Sequence, residues 1–159
     1  MELKGYQQTN LNALDRFLEC VGKHNNIANG FYEFWQTNNP PLTPFRGAII
    51  EPYKNNVMGA PHVCHKVPTG GGKTFIACNA IKTIMDSLQI GAPNKVVAWF
   101  VPSDTILKQT LEKLQDVEHP YRQRLDALFN HRVIVVDKES ALMGQGLTPA
   151  NMHDNLIIF

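Results

Sequence analysis

Apolar residues follow two rhythms along this chain, and the change comes near residue 62. Before it, one clear helical pattern stands out: Leu11, Leu14, Phe17, Leu18 and Val21 predict a helix over 10–21. Asn10 is a candidate cap for its start and Gly22 for its stop. Residues 22–61 then hold Pro40, Pro41, Pro44, Pro52 and Pro61, and three Asn-Asn pairs. That composition predicts a long loop or insertion, with a short helix around Phe31–Trp35 and a strand at Ala48–Ile50.

After it, strand and helix patterns alternate. His62–Val67 is a strand candidate. Ile76, Ala77, Ala80, Ile81, Ile84, Met85 and Leu88 predict a helix over 74–89, stopped by Gly91 and Pro93. Lys95–Val101 is nearly all apolar, which predicts a strand buried on both faces. Ser103 or Asp104 opens a helix that turns Ile106, Leu107, Thr110, Leu111 and Leu114 inward, and Tyr121–Phe129 predicts another. Arg132–Val136 and Leu156–Phe159 predict strands, with a loop between them. This order predicts an α/β sandwich on a mostly parallel sheet.

Composition narrows the class. The chain of 159 residues is one domain's length. By surface scaling it exposes about 8,000 Å² folded against roughly 26,000 Å² unfolded, enough burial for a core. With 43% hydrophobic and 18% charged residues, a disordered chain is not expected. A net charge of +1 gives no bulk attraction to nucleic acid and leaves room for a local patch. Cys20, Cys64 and Cys78 are odd in number and none pairs as CxxC, which argues against disulfides or a thiolate zinc site. Cys64 and Cys78 sit in apolar patterns and are expected to be buried. An intracellular, cytoplasmic setting fits. No run is long enough to span a membrane, and the amino terminus does not read as a signal peptide.

The strongest chemistry lies at Pro68-Thr69-Gly70-Gly71-Gly72-Lys73-Thr74, between a predicted strand and the clearest helix. In that context G-x-x-x-x-G-K-[ST] is a phosphate loop. The glycines let backbone N–H groups wrap phosphate oxygens, and the helix start adds partial positive charge. Lys73 can reach the β and γ phosphates, and the Thr74 hydroxyl can ligate Mg²⁺. Val67 stands where the general pattern has its first glycine. Further on, Asp137 follows an apolar strand and has the pattern of a metal-holding acid, with Glu139 as a base. With those two the chain is a self-contained small kinase or NTPase. Yet Leu156–Phe159 is an equally good lead-in to such an acid.

The chain resembles the first RecA-like motor domain of superfamily 2 helicases and translocases, closest to the DEAD/DEAH-like region of type III restriction enzyme R subunits. Val67–Thr74 resembles motif I of that family, where an apolar first residue is tolerated. Leu3-Lys4-Gly5-Tyr6-Gln7 is similar to the upstream L-[RK]-x-Y-Q segment, which makes Gln7 the counterpart of the adenine-reading glutamine. Phe100-Val101-Pro102-Ser103, with Leu107 and Gln109, resembles motif Ia, a corner that touches the nucleic-acid backbone; Pro102, Ser103 and nearby Lys108 are the matching contacts here.

The resemblance implies a P-loop NTPase fold of the RecA-like type, a three-layer sandwich, incomplete here. It spans 1–159 with the 22–61 insertion. It implies ATP bound by Gln7 and residues 69–74, Mg²⁺ on Thr74, and Lys73 and Thr74 as catalytic. It implies DNA as partner, with RNA left open, together with a second RecA-like domain and a methyltransferase (modification) subunit. In this alignment Asp137 arrives too early, and Leu156–Phe159 leads into a DE-x-x motif expected beyond Phe159. The chain is therefore expected to be a piece that binds nucleotide and hydrolyses it negligibly. A third reading is a non-catalytic nucleotide-binding or structural module.

Smaller signals remain. His62 and His65 are three apart, a weak spacing for metal on a strand. Phe31, Tyr32, Phe34 and Trp35 suit either a base-stacking platform or, better, a satellite core.

Overall fold

The computed structural model describes residues 1–37, 53–87 and 95–159. The strand expected at 48–50, Leu88, and the Gly91–Pro93 stop lie outside them. The elements are α1 (Gly5–His24), α2 (Ile27–Gln36), α3 (Lys73–Ser87), β1 (Lys95–Val97), α4 (Asp104–Gln115), α5 (Pro120–Leu128), β2 (Val133–Val135), α6 (Lys138–Leu142), α7 (Pro149–Asp154) and β3 (Leu156–Ile158). They form an α/β arrangement on a small, all-parallel sheet of order β1-β3-β2.

β3 is the centre. Leu156, Ile157 and Ile158 are all at or below 1% exposure and pair in register with Lys95–Val97 on one side and Val133–Val135 on the other. Burial on both faces, expected for Lys95–Val101, therefore belongs to β3. Among the described residues β1 is an edge, and its Lys95 and Val96 are exposed. Pairing reaches slightly past the strands, with the Trp99 N–H donating to the Phe159 carbonyl at 2.7 Å and Val136 to Ile158 at 2.9 Å.

One core packs Cys78 and Ile81 of α3, Leu114 of α4, and Leu125 and Phe129 around α5 against Val133, Leu156 and Ile158. Cys78 is fully buried, which pushes its thiol up to about 12. Polar groups close the same core. Arg122 donates to both carboxylate oxygens of Asp126 at 3.0 Å and to the carbonyls of Leu114 and Val133. Arg124 donates to Asn79 at 2.7 Å, so α5 is tied to α3.

A second cluster joins Leu14, Phe17, Leu18 and Val21 of α1 to Ile27, Phe31 and Phe34 of α2 and to Ala80 and Ile84 of α3. The Phe17 and Phe34 rings meet edge to face at 5.7 Å, and the Arg16 guanidinium lies over Phe34. Phe31 and Phe34 of α2 thus pack into a satellite core, while Tyr32 is 39% exposed.

Several boundaries differ from the sequence pattern. The first helix begins at Gly5, not Asn10, and passes through Gly22; it ends where Asn25 turns left-handed at φ 47°. Asn tolerates that conformation, so it does the work expected of glycine. In α4 only Leu114 is buried, while Ile106 and Leu107 are 41% and 42% exposed. α6 and α7 fall where a loop was expected. Each is short and starts on a side-chain cap, Asp137 to the Ser140 N–H and Thr148 to the Asn151 N–H. Residues 62–67 form no strand, and Val63 and Cys64 are exposed, which corrects the expected burial of Cys64. Among the described residues they have no ladder partner, and without one an extended segment is not a strand.

Candidate phosphate-binding site

The segment Pro68–Thr74 is a tight turn running straight into α3. Gly70 and Gly72 take φ of 75° and 74°, a region that side chains rarely enter. The Gly71 N–H donates to the Pro68 carbonyl at 3.0 Å, and the Ile76 N–H begins the helix on the Gly72 carbonyl at 2.9 Å. Lys73 Nζ folds back to the same Pro68 carbonyl at 3.2 Å. Steric room is minimal. A Cβ on Gly71 would come within 2.6 Å of Val67 Cγ1 and 2.9 Å of the Pro68 oxygen. A Cβ on Gly72 would come within 2.6 Å of Gln7 Nε2. Val67, the departure from the general motif, therefore packs into the turn and makes glycine necessary at 71.

The turn is held from outside by α1. Gln7 is 5% exposed. Its Nε2 donates to the Gly71 carbonyl at 3.0 Å, and its Oε1 accepts the Lys4 N–H at 2.9 Å. The Tyr6 hydroxyl donates to the same Gly71 carbonyl at 2.9 Å. Sequence pattern singled out Gln7 but assigned Tyr6 no task; its contact spans 65 positions, which no local pattern reports.

Thr69 and Gly70 are exposed at the turn's tip, Lys73 is exposed, and Thr74 is half-buried in the first turn of α3. The first N–H groups of a helix have no partner within it. A cavity of about 460 Å³ beside the turn is lined by Val63, His65, Val67, Lys73, Val97 and Trp99, among others. Lys73 and Val97, at the carboxyl end of β1, both line it, and open parallel sheets bind ligands at that end. Its apolar walls desolvate His65 and hold its imidazole below the usual histidine range.

The other candidates lie apart from this turn. Pro102, Ser103 and Lys108 are all exposed at the start of α4, where Ser103 Oγ accepts the Ile106 N–H at 3.4 Å. Asp137 is occupied: its carboxylate accepts the Ser140 N–H at 2.7 Å, and that bond lowers its pKa. Among the described residues, no three His, Cys, Asp or Glu side chains cluster as a metal site. No described helix is long and apolar enough to cross a membrane.

A family model described as type III restriction enzyme, res subunit, matches residues 1–158. No curated protein and no solved structure gives a significant match.

Proposed function

The chain belongs to the type III restriction enzyme res subunit family, and from that premise we propose that residues 69–74 bind the phosphates of ATP for a DNA-dependent motor. Membership implies a helicase-type ATPase function of a restriction enzyme subunit, and domains of this family generally use ATP with Mg²⁺. The observation that carries the reading to particular residues is the Gly70–Lys73 turn, glycine-only by conformation and by space, set at the start of α3.

The residues fit such a ligand. Two left-handed glycines let consecutive N–H groups converge on an anion. Lys73 is exposed and spends its ammonium on a single carbonyl, so it can turn to a β- or γ-phosphate. Its charge offsets the negative charge that builds on a transferring phosphoryl group. The Thr74 hydroxyl would hold Mg²⁺, which adds charge neutralisation at the phosphate oxygens. Gln7 commits one amide hydrogen and one lone pair to backbone. Of the four bonds a carboxamide can make, two remain for an adenine edge.

At the start of α4, the Ser103 hydroxyl accepts from Ile106 and keeps its own hydrogen for a nucleic-acid phosphate. Pro102 fixes the corner and exposed Lys108 adds charge. The same reading makes residues 1–159 a RecA-like ATP-binding domain with 22–61 as an insertion. It pairs with a second RecA-like domain and a modification subunit.

Asp137 favours this reading over a small self-contained kinase, because one of its carboxylate oxygens already caps α6. Turnover by this chain alone is then negligible. The test is calorimetric titration of the chain with ATP and Mg²⁺. Binding that is lost in Lys73→Ala is expected. Absence of binding by the unmodified chain points to a structural module instead. Robust ATP turnover abolished by Asp137→Asn restores the kinase alternative.

A further inference from the structure

Two side chains of α1 grip the phosphate loop, and the reading above uses only Gln7. We infer that Tyr6 is a positioning residue of the loop: its hydroxyl orients the Gly71–Gly72 peptide so that the Gly72 N–H is presented to phosphate. The inference rests on the proposed nucleotide binding.

A trans peptide is planar, with its C=O and N–H pointing in opposite directions. The Gly71 carbonyl is drawn towards α1 by Tyr6 at 2.9 Å and Gln7 at 3.0 Å, which uses both of its lone pairs. The N–H of the same unit, that of Gly72, must therefore face away from α1. It makes no hydrogen bond among the described residues. Left alone, a peptide between two glycines flips readily, because neither residue carries a Cβ to resist it. The N–H would then be free to turn into α1 as well as out of it. Gln7 shares its amide with Lys4 and, in the proposed function, with adenine. Among the described residues the Tyr6 hydroxyl has one partner, the Gly71 carbonyl, so its hold does not depend on the base.

The ring of Tyr6 is about half exposed, and Tyr6→Phe removes one oxygen without opening a cavity. The full chain and its Tyr6→Phe and Gln7→Ala variants would be titrated with ATP and with inorganic tripolyphosphate, each with Mg²⁺. Tyr6→Phe is expected to weaken both ligands by the same factor, about five-fold, the worth of one ordinary hydrogen bond. Gln7→Ala is expected to weaken ATP more than tripolyphosphate. Without ligand, ¹⁵N relaxation at Gly72 is expected to show greater mobility in Tyr6→Phe. Unchanged tripolyphosphate affinity in Tyr6→Phe overturns the inference whatever the relaxation shows, while leaving nucleotide binding standing. An unmodified chain that binds neither ligand removes the proposed function, and this inference with it.

Discussion

Residues 61–67 and 68–74 are neighbours in sequence and opposites in structure. The second segment is pinned at almost every position, by glycine geometry, by the Pro68 carbonyl and by two side chains of α1. Among the described residues the first has no ladder partner, and Val63 and Cys64 face solvent. A strand feeding the loop was the expectation. Apart from Val67, which packs against Gly71, the loop is held from the side by α1, whose Leu14, Leu18 and Val21 pack towards α3. Support for a glycine-rich turn can thus come from a helix remote in sequence.

The contrast can be broken from its strong side first. Leu18 is 2% exposed at the α1–α3 packing. Leu18→Ala is expected to cost about 2–5 kcal/mol of stability in chemical denaturation, because the side chain leaves a cavity behind. Its nucleotide affinity should fall with it if the loop depends on α1. Gly72→Ala comes next. A methyl at φ 74°, 2.6 Å from Gln7 Nε2, is expected to cost about 1–3 kcal/mol. The same melts would show it, together with weakened ATP binding.

His65 sharpens the weak side of the contrast. Its imidazole pKa is lowered by burial against the apolar cavity. A lowered histidine favours the neutral form in the folded state. Its contribution to stability is present above its ordinary value of 6.5 and is lost as pH falls through the lower folded value. An NMR titration should find His65 titrating below 6.5, and His65→Gln should flatten that part of the stability profile. The smallest effect is expected from Val63→Ala. At 45% exposure the change should be about 0.5 kcal/mol or less. A loss comparable with that of Leu18→Ala would mean that 61–67 supports the loop after all.

Sequence pattern located what is local. The glycine turn at 70–72, the body of α3, α5, and the strand cores at 133–135 and 156–158 were all visible, because glycine needs and apolar periodicity are written in adjacent residues. What depended on remote partners was not. Lys95–Val101 and Leu156–Phe159 are equally apolar, and only the order β1-β3-β2 decides which one is central. His62–Val67 has a strand's composition, but a strand also needs a neighbour. Asp137 follows an apolar strand as a metal acid does, and the pattern cannot show that one of its oxygens caps α6 through the Ser140 N–H. In the candidate site, the spacing placed Lys73, Thr74 and the glycines together at the start of α3. The Tyr6 contact was not, since it joins α1 to a turn 65 positions away.

The most direct test is a crystal structure of the chain with Mg²⁺ and a non-hydrolysable ATP analogue. The account predicts the triphosphate seated on the backbone N–H groups of residues 70–74, with Lys73 swung off the Pro68 carbonyl onto a phosphate. Tyr6 should still be bonded to Gly71. An analogue bound elsewhere, with Lys73 still on Pro68, would contradict it.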